Sequence, residues 1–306
     1  MKKDLLRILD LTDRDILALL SSGAAWKRRA GRKNAPRPLA GKTLGMIFQK
    51  ASTRTRVSFE VGMTRLGGHA VFMSPEDTQI GRGEPIRDTG RVLSRYADAV
   101  MIRTFAHSVA EELAASSTVP VINGLTDDHH PCQILADLMT AAERGKNPRK
   151  MRVAFIGDGN NVANSWVEAA HVLGFPLRVA CPKGYEPAAA VRMEAHRLTG
   201  CRGDVRIVRD PAEAARDADV LYTDVWTSMG QETERRRRLA AFKGYRIDAD
   251  LLAAAAGDAI VMHCLPAHRG EEITDEVIEG PHSAVFDEAE NRLHVQMAIL
   301  EKLVRH

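Results

Sequence analysis

The stretch KTLGMIFQKASTRTRVSFEVGMTRLGG, residues 42–68, decides how the rest of the chain is read. Its first half, TLGMIF, is a short apolar run with strand character. Its second half, RVSFEVGMTRLGG, spaces Val57, Val61 and Leu66 as one face of a helix. Between them stand Ser52, Thr53, Arg54 and Thr55, three hydroxyls and a guanidinium at the point where a strand turns into a helix. The first N–H groups of a helix have no partner within it, and the helix dipole favours negative charge there. Hydroxyls and an arginine fork at that end suit a compact anion such as phosphate. A plainer reading stands beside it: Ser or Thr as an ordinary N-cap, and Arg as a solvated side chain.

Outward from this stretch the pattern repeats. TLGMIF, AVFM, AVMIR and PVING are short apolar runs separated by helical stretches such as PIRDTGRVLSRYA and SVAEELAAS. After the polar break ERGKNPRK a second series runs MRVAFIGD, PLRVACP, DVRIVRD, DVLYTDVW, AIVMHCLP and AVFDEAE, again with helices between. Strands alternating with helices imply parallel sheets covered on both faces. The expected fold is α/β: two similar domains, each a mostly parallel sheet flanked by helices. The first spans 1–145 and the second 146–289, with the terminal helix 290–306 returning to the first. HPCQILADLMTAAERG lies between the two series and spaces Ile134, Leu138 and Ala141 as one apolar face.

Composition agrees with a soluble globular chain: 306 residues, 44% hydrophobic and 27% charged, enough for two domains. A formal charge of +3 is mild and suits anionic small molecules at least as well as nucleic acid. The opening MKKDLLRILDLTDRDILALL is broken by Asp4, Arg7, Asp10 and Asp13, so it has no signal-peptide core, and no run reaches the length of a membrane span. Cys132, Cys181, Cys201 and Cys264 are scattered without CxxC spacing, which points to reduced thiols and the cytoplasm.

In open parallel sheets, ligands bind beyond the carboxyl ends of strands. At those ends the first series offers Ser52 to Thr55, then Arg103 closing AVMIR, then His129, His130 and Gln133 in HHPCQ. Arginine forks take phosphate oxygens, while an imidazole and a hydroxyl can donate to a carbonyl oxygen that gains charge. In the second series FIGDGNNVANSW has Gly157 and Gly159, but Val162 stands where a dinucleotide fingerprint needs its third glycine. LRVACP likewise ends without a ribose-binding acid. The tight turn remains, with Asn160 or Asn161 able to meet a small polar ligand. DVWTSMGQE places Asp224, Ser228 and Met229 at a strand end, where an unpaired Asp suits an ammonium group or else forms an Asx turn. A metal held by Cys264, His268 and His130 lacks a familiar ligand spacing, and Cys264 as a nucleophile lacks a base beside it. RRRR, Arg235 to Arg238, reads as a solvated helix face rather than a nucleic-acid patch.

Taken in order, STRT, MIRT, HHPCQ, GDGNN, DVWTSMGQ, HCLPAHRG and EAENRLH resemble the motif set of the ornithine carbamoyltransferases, from about residue 43 to the C-terminal helix. The resemblance implies a first domain for carbamoyl phosphate, a second for L-ornithine, and L-citrulline and phosphate as products, as in arginine biosynthesis. It implies that Ser52, Thr53, Arg54, Thr55 and Arg103 hold the phosphate. By the same resemblance, His130, Gln133, Thr55 and Arg103 address the carbamoyl group. Gln79 would reach a neighbouring subunit's site in a homotrimer, and Arg292 would close on carbamoyl phosphate. Asn161, Asp224, Ser228 and Met229 would grip the amino-acid end of ornithine; Cys264 and Leu265 would border its amine and the carbamoyl group. No cofactor, metal, nucleic acid or membrane is implied. Carbamoyltransferases for aspartate, N-acetylornithine or putrescine are the nearest rivals. Asp224 argues for an amine-bearing acceptor, since aspartate would call for extra cations there.

Overall fold

The computed structural model describes all residues except 33, 77, 80–82, 201, 229, 231 and 306, so Met229 and Cys201 lie outside the described residues. The chain forms two compact units, Met1–Met139 with Glu290–His306, and Thr140–Ala289. The division falls at 139/140, where the sequence reading set 145/146.

In the first unit the order is α1 (Asp13–Arg29), β1 (Thr43–Phe48), α2 (Thr53–Arg65), β2 (His69–Met73), α3 (Ile86–Leu93), β3 (Ala99–Arg103), α4 (His107–Ser116), β4 (Val121–Leu125) and α5 (Pro131–Glu143). Thr12 starts α1 through a reciprocal cap: its hydroxyl accepts from Asp15 N, and the Asp15 carboxylate accepts from Thr12 N, both at 3.1 Å. The four strands are parallel in the order β2-β1-β3-β4. Ile47, Val100, Ile102, Leu113 and Val121 are buried together between sheet and helices, which is why these strands read as continuous apolar runs.

The second unit contains β5 (Val153–Ile156), α6 (Asn161–Leu173), β6 (Leu177–Ala180), α7 (Ala189–Thr199), β7 (Val205–Val208), α8 (Pro211–Ala215), β8 (Val220–Thr223), α9 (Arg235–Ala241), α10 (Ala249–Ala253), β9 (Ile260–His263) and α11 (Asp275–Ile278). The long α12 (Val285–Val304) then follows. Its sheet is also parallel, in the order β7-β6-β5-β8-β9, over a core that includes Ile156, Leu221, Val261 and Val277. Among the described residues no helix is long and apolar enough to cross a membrane.

Both sheets have a point where the chain, having built one side, returns to build the other. In the first it lies between β1 and β3; in the second, between β5 and β8. A crevice opens at the carboxyl ends of such strand pairs. STRT follows β1 and Arg103 ends β3; GDGNN follows β5 and Asp224 follows β8. Strand order therefore singles out these four segments among all the strand ends.

Three expectations need correction. AVFDEAE is not a strand: after a single bridge between Val261 and Ser283 the chain enters α12 at Val285. The apolar run is too short to carry a period, and the acids Asp287 and Glu288 sit in the first helical turn, where the dipole favours them. In α2, Val57 is 49% exposed, and the face turned inward is Thr55, Ser58, Phe59, Gly62 and Met63. Gly62 lies close under Met297 of α12, so a small residue sets that face. In α5 burial is not confined to one face, since Pro131 through Ala141 are all buried.

Candidate active site

Ser52 caps α2: its Oγ accepts from Thr55 N at 3.2 Å and donates to Thr55 Oγ1 at 3.0 Å. Thr55 is fully buried, and its hydroxyl also accepts from Arg292 Nη2 of α12 at 2.7 Å, across 237 positions of sequence. The register slips where this packing occurs: Ile102 pairs with Asn123, but Arg103 pairs with Leu125, leaving Gly124 bulged. A Cβ on Gly124 would come within 2.6 Å of Met101 Sδ and 3.4 Å of Thr55 Cγ2. Glycine there lets the start of α2 lie against the sheet.

Three guanidiniums gather around His130. Arg103 and Arg292 are 6% and 3% exposed, and Arg54 stands in the first turn of α2. The His130 imidazole is held well below its usual range, first by burial and then by the positive charges of Arg292, Arg103 and Arg54. It is therefore neutral at pH 7. Gln133 N donates to the His130 carbonyl at 3.1 Å, and its side-chain amide donates to Asp137 Oδ1 at 2.8 Å. This end of the sheet is a neutral imidazole and hydroxyls ringed by cations, an arrangement that favours an anion bearing a carbonyl. Gln79 is exposed, its carbonyl accepting from Glu84 N at 3.0 Å, and no hydrogen bond among the described residues ties it to the cluster.

Lys50 belongs to the same corner and was not singled out from sequence. It is buried, pairs with Asp127, and lies 4.3 Å above the Phe105 ring. Beside it Gln49 N donates to the Arg103 carbonyl at 2.8 Å, and the Thr104 hydroxyl donates to the Gln49 side chain. These bonds lace the β1–α2 loop to the ends of β3 and β4. A lone lysine between Gln49 and Ala51 carries no sequence signal for that role.

In the second unit Asn160 caps α6, its side-chain oxygen accepting from Val162 N at 3.0 Å and Ala163 N at 3.2 Å while its amide donates to Asp224 Oδ2 at 2.6 Å. Asp224 is thus not unpaired, as the sequence reading had it. Its other oxygen accepts from Val225 N at 2.8 Å and from the Cys264 thiol at 3.0 Å. All three donors are neutral, so the buried carboxylate is hydrogen-bonded without a cation among the described residues. Asn161 opens α6, and Ser228 stands four residues past Asp224, partly exposed. Gly159 has a packing reason that no nucleotide is needed to explain: a Cβ there would fall 2.2 Å from the backbone of Glu186 and Pro187.

Cys264 and Leu265 follow β9. Leu265 is held at φ 54, a left-handed conformation unusual for a branched residue, and its N–H donates to His263 Nδ1 at 2.9 Å. His263 Nε2 lies 3.0 Å from the buried Glu272. Close donor groups form as Asp224, His263 and Cys264, and as His268, Glu271 and Glu272, so Cys264 and His268 fall in different groups. Within the first set the Cys264 thiol already donates to Asp224, while the His263 ring is engaged by Glu272 and Leu265 N. Cys132 and Cys181 are buried thiols pushed up to about 12 and about 11, unsuited to nucleophilic work at neutral pH.

The RRRR run is only partly a solvated face. Arg235, Arg236 and Arg237 are exposed, but Arg238 is buried, donating to Asp158 Oδ2 and to the Trp226 carbonyl, both at 2.9 Å. It ties α9 to the turn after β5. Burial raises Asp158 to about 6 in spite of Arg238.

Comparison with known proteins agrees with this layout. Residues 3–143 match the model of the aspartate/ornithine carbamoyltransferase carbamoyl-P binding domain, and 149–303 that of the Asp/Orn binding domain. The chain is 57% identical over 304 residues to the ornithine carbamoyltransferase of Methanoculleus marisnigri, covering 99% of this chain and 97% of that one. It is 54% identical over 301 residues to the anabolic ornithine carbamoyltransferase of Pseudomonas aeruginosa, covering 98% and 97%. The solved structure of the Pyrococcus furiosus ornithine carbamoyltransferase is similar at TM-score 0.94 and 50% identity, covering 98% of this chain and 96% of that one. The chain belongs to the aspartate/ornithine carbamoyltransferase family.

Proposed function

We propose that this chain transfers the carbamoyl group of carbamoyl phosphate to the δ-amine of L-ornithine, giving L-citrulline and phosphate. The convergence of Arg54, Arg103 and Arg292 on a neutral His130 carries the reading. Ser52, Thr53, Arg54, Thr55 and Arg103 hold the phosphate at the N-terminus of α2, and Arg292 joins them through its contact with Thr55. Gln133 and His130 address the carbamoyl group. The ornithine α-amino end is taken by Asn161, Asp224, Ser228 and Met229. Asp224 supplies the negative charge, and its neutral neighbours leave that charge for the substrate ammonium. Cys264 and Leu265 border the reacting amine and the carbamoyl group.

The chemistry follows from the groups. A δ-amine has a reference pKa near that of lysine, about 10.4, and attacks only after losing its proton. Activity therefore rises toward alkaline pH, with the titrating group on the substrate, because His130 is already neutral there. Attack converts the carbonyl oxygen to an oxyanion. Arg103, Thr55 and His130 act as fixed donors to it, each worth on the order of a few kcal/mol. The tetrahedral intermediate then expels phosphate, whose charge stays matched by the guanidiniums. No step calls for a cofactor.

We further propose a homotrimer in which Gln79 reaches a neighbouring subunit's site, and a cytoplasmic enzyme of arginine biosynthesis. The exposure of Gln79, the lack of a disulfide at Cys132, Cys181 and Cys264, and the likeness to the anabolic Pseudomonas aeruginosa enzyme support these readings in turn. Citrulline formation by the purified protein, run with ornithine beside aspartate, N-acetylornithine and putrescine, tests the substrate. Ornithine-selective turnover is expected. Turnover with another amine alone would keep the phosphate reading and overturn that of Asp224. Light scattering gives the oligomeric state.

A further inference from the structure

Away from its own strand-end cluster, the first unit carries an open groove of about 650 Å³ between the end of α1, the segment that follows it, the end of α2 and the side of α12. Four arginines line it: Arg29, Arg32, Arg37 and Arg65, all exposed. The whole chain has a formal charge of only +3, so the groove concentrates more positive charge than the molecule carries in sum. None of the four is ion-paired among the described residues. The nearby carboxylate of Glu301 accepts from Trp26 Nε1 at 2.9 Å and lies 3.4 Å from Arg305.

Arg29 and Arg65 each close a helix, where a cation offsets the negative end of the dipole. That accounts for one charge per helix. It leaves Arg32 and Arg37 unexplained, since both lie between α1 and β1, outside either helix. Like charges gathered together repel, and an anion from solution relieves that repulsion beyond what water and salt already screen. The groove is not a loose surface patch: Trp26 and Met297, both in its lining, are buried, and the Arg29 guanidinium lies 5.4 Å from the Trp26 ring centre. Its volume is that of a small-ligand site.

We infer that this groove binds a small polyanion bearing two or more phosphoryl groups, pyrophosphate or a nucleoside di- or triphosphate. Arginine forks match phosphoryl oxygens bidentately, and four of them exceed what one phosphate can engage. Beside the forks, Ala30 and Ala35, over the buried Met297, offer a small apolar surface against which a nucleobase can lie. The site is separate from the one that takes carbamoyl phosphate and makes no contribution to its chemistry.

The test is calorimetric titration of the full chain with pyrophosphate, ATP, inorganic phosphate and sulfate at one fixed ionic strength. It is repeated on Arg32→Gln/Arg65→Gln and on Arg54→Ala. The expected result is binding of pyrophosphate or ATP at least tenfold tighter than of sulfate, weakened at least tenfold in the groove variant and kept in Arg54→Ala. ATP tighter than pyrophosphate would assign the apolar surface to a base; equal affinity would assign the site to the phosphoryl groups alone. The groove variant should also form citrulline within about twofold of the unmodified rate. Binding that survives in the groove variant and disappears in Arg54→Ala would overturn the inference, as would binding no tighter than that of sulfate. Unchanged melting of the groove variant separates loss of the site from loss of the fold.

Discussion

The two strand-end clusters are built on opposite electrostatic plans. In the first unit, cations are brought together: Arg54, Arg103 and Arg292 surround the His130 imidazole, which burial first and then their charges keep neutral. In the second, a single carboxylate, Asp224, is held by an amide, a backbone N–H and a thiol, with no cation paired to it among the described residues. Each plan gathers one sign of charge, positive in the first, which suits a phosphate, and negative in the second, which suits an ammonium. Preorganisation is also achieved differently. The arginines are fixed by burial and by the contact between α12 and the start of α2. Asp224 is fixed by the cap of α6.

The largest expected effect breaks the first plan. Arg54→Ala or Arg103→Ala should each lower kcat/KM for citrulline formation by on the order of 10³-fold, because each removes a donor aimed at charge that develops in the transition state. Circular dichroism should be unchanged, and near-normal rates in either variant would sink the assignment. Breaking the second plan should cost less. Asp224→Asn retains the shape and keeps an oxygen to accept from Val225 N and Cys264, but removes the charge. It should raise the KM for ornithine by about tenfold to a hundredfold, with a smaller change in kcat. An equal loss at saturating ornithine would move Asp224 from binding into chemistry.

The smallest effects are on stability, and they sharpen the contrast by having opposite signs. His130 has a lowered pKa in the folded chain, so below its ordinary 6.5 the unfolded state binds more protons, and stability rises with pH up to about that value. Asp158 is raised from 3.8 to about 6, so between those values the folded state holds the extra proton, and stability falls as pH rises. Denaturant titrations across pH should show a flattened rise in His130→Gln and a flattened fall in Asp158→Asn. The same slope in both variants and in the unmodified chain would contradict these assignments.

Much of the frame was legible in the sequence because buried parallel strands read as apolar runs and their ends carry the polar residues. Ser52 as a cap followed from its place between strand and helix. What was not legible depended on partners far apart in the chain. Arg292 reaching Thr55 is a contact across 237 positions. The burial of Arg238 in an otherwise exposed arginine run depends on Asp158, 80 positions earlier. AVFDEAE misled because three apolar residues have no period, and Val57 misled because α2 turns Thr55, Ser58, Phe59, Gly62 and Met63 inward, a face that mixes polar and small residues with the apolar ones. Strand order, which places the clusters at the two switch points, is a property of pairing that no local pattern encodes.

The central claim is that the two plans act on different substrates, and the affinity for carbamoyl phosphate in three proteins tests it most directly. Measured by calorimetry on the unmodified chain, Arg292→Ala and Asp224→Asn, the dissociation constant should rise about tenfold to a hundredfold in Arg292→Ala, the worth of a lost charge-assisted contact. In Asp224→Asn it should change by less than about twofold. Equal weakening in both variants, or weakening in Asp224→Asn alone, would contradict the account.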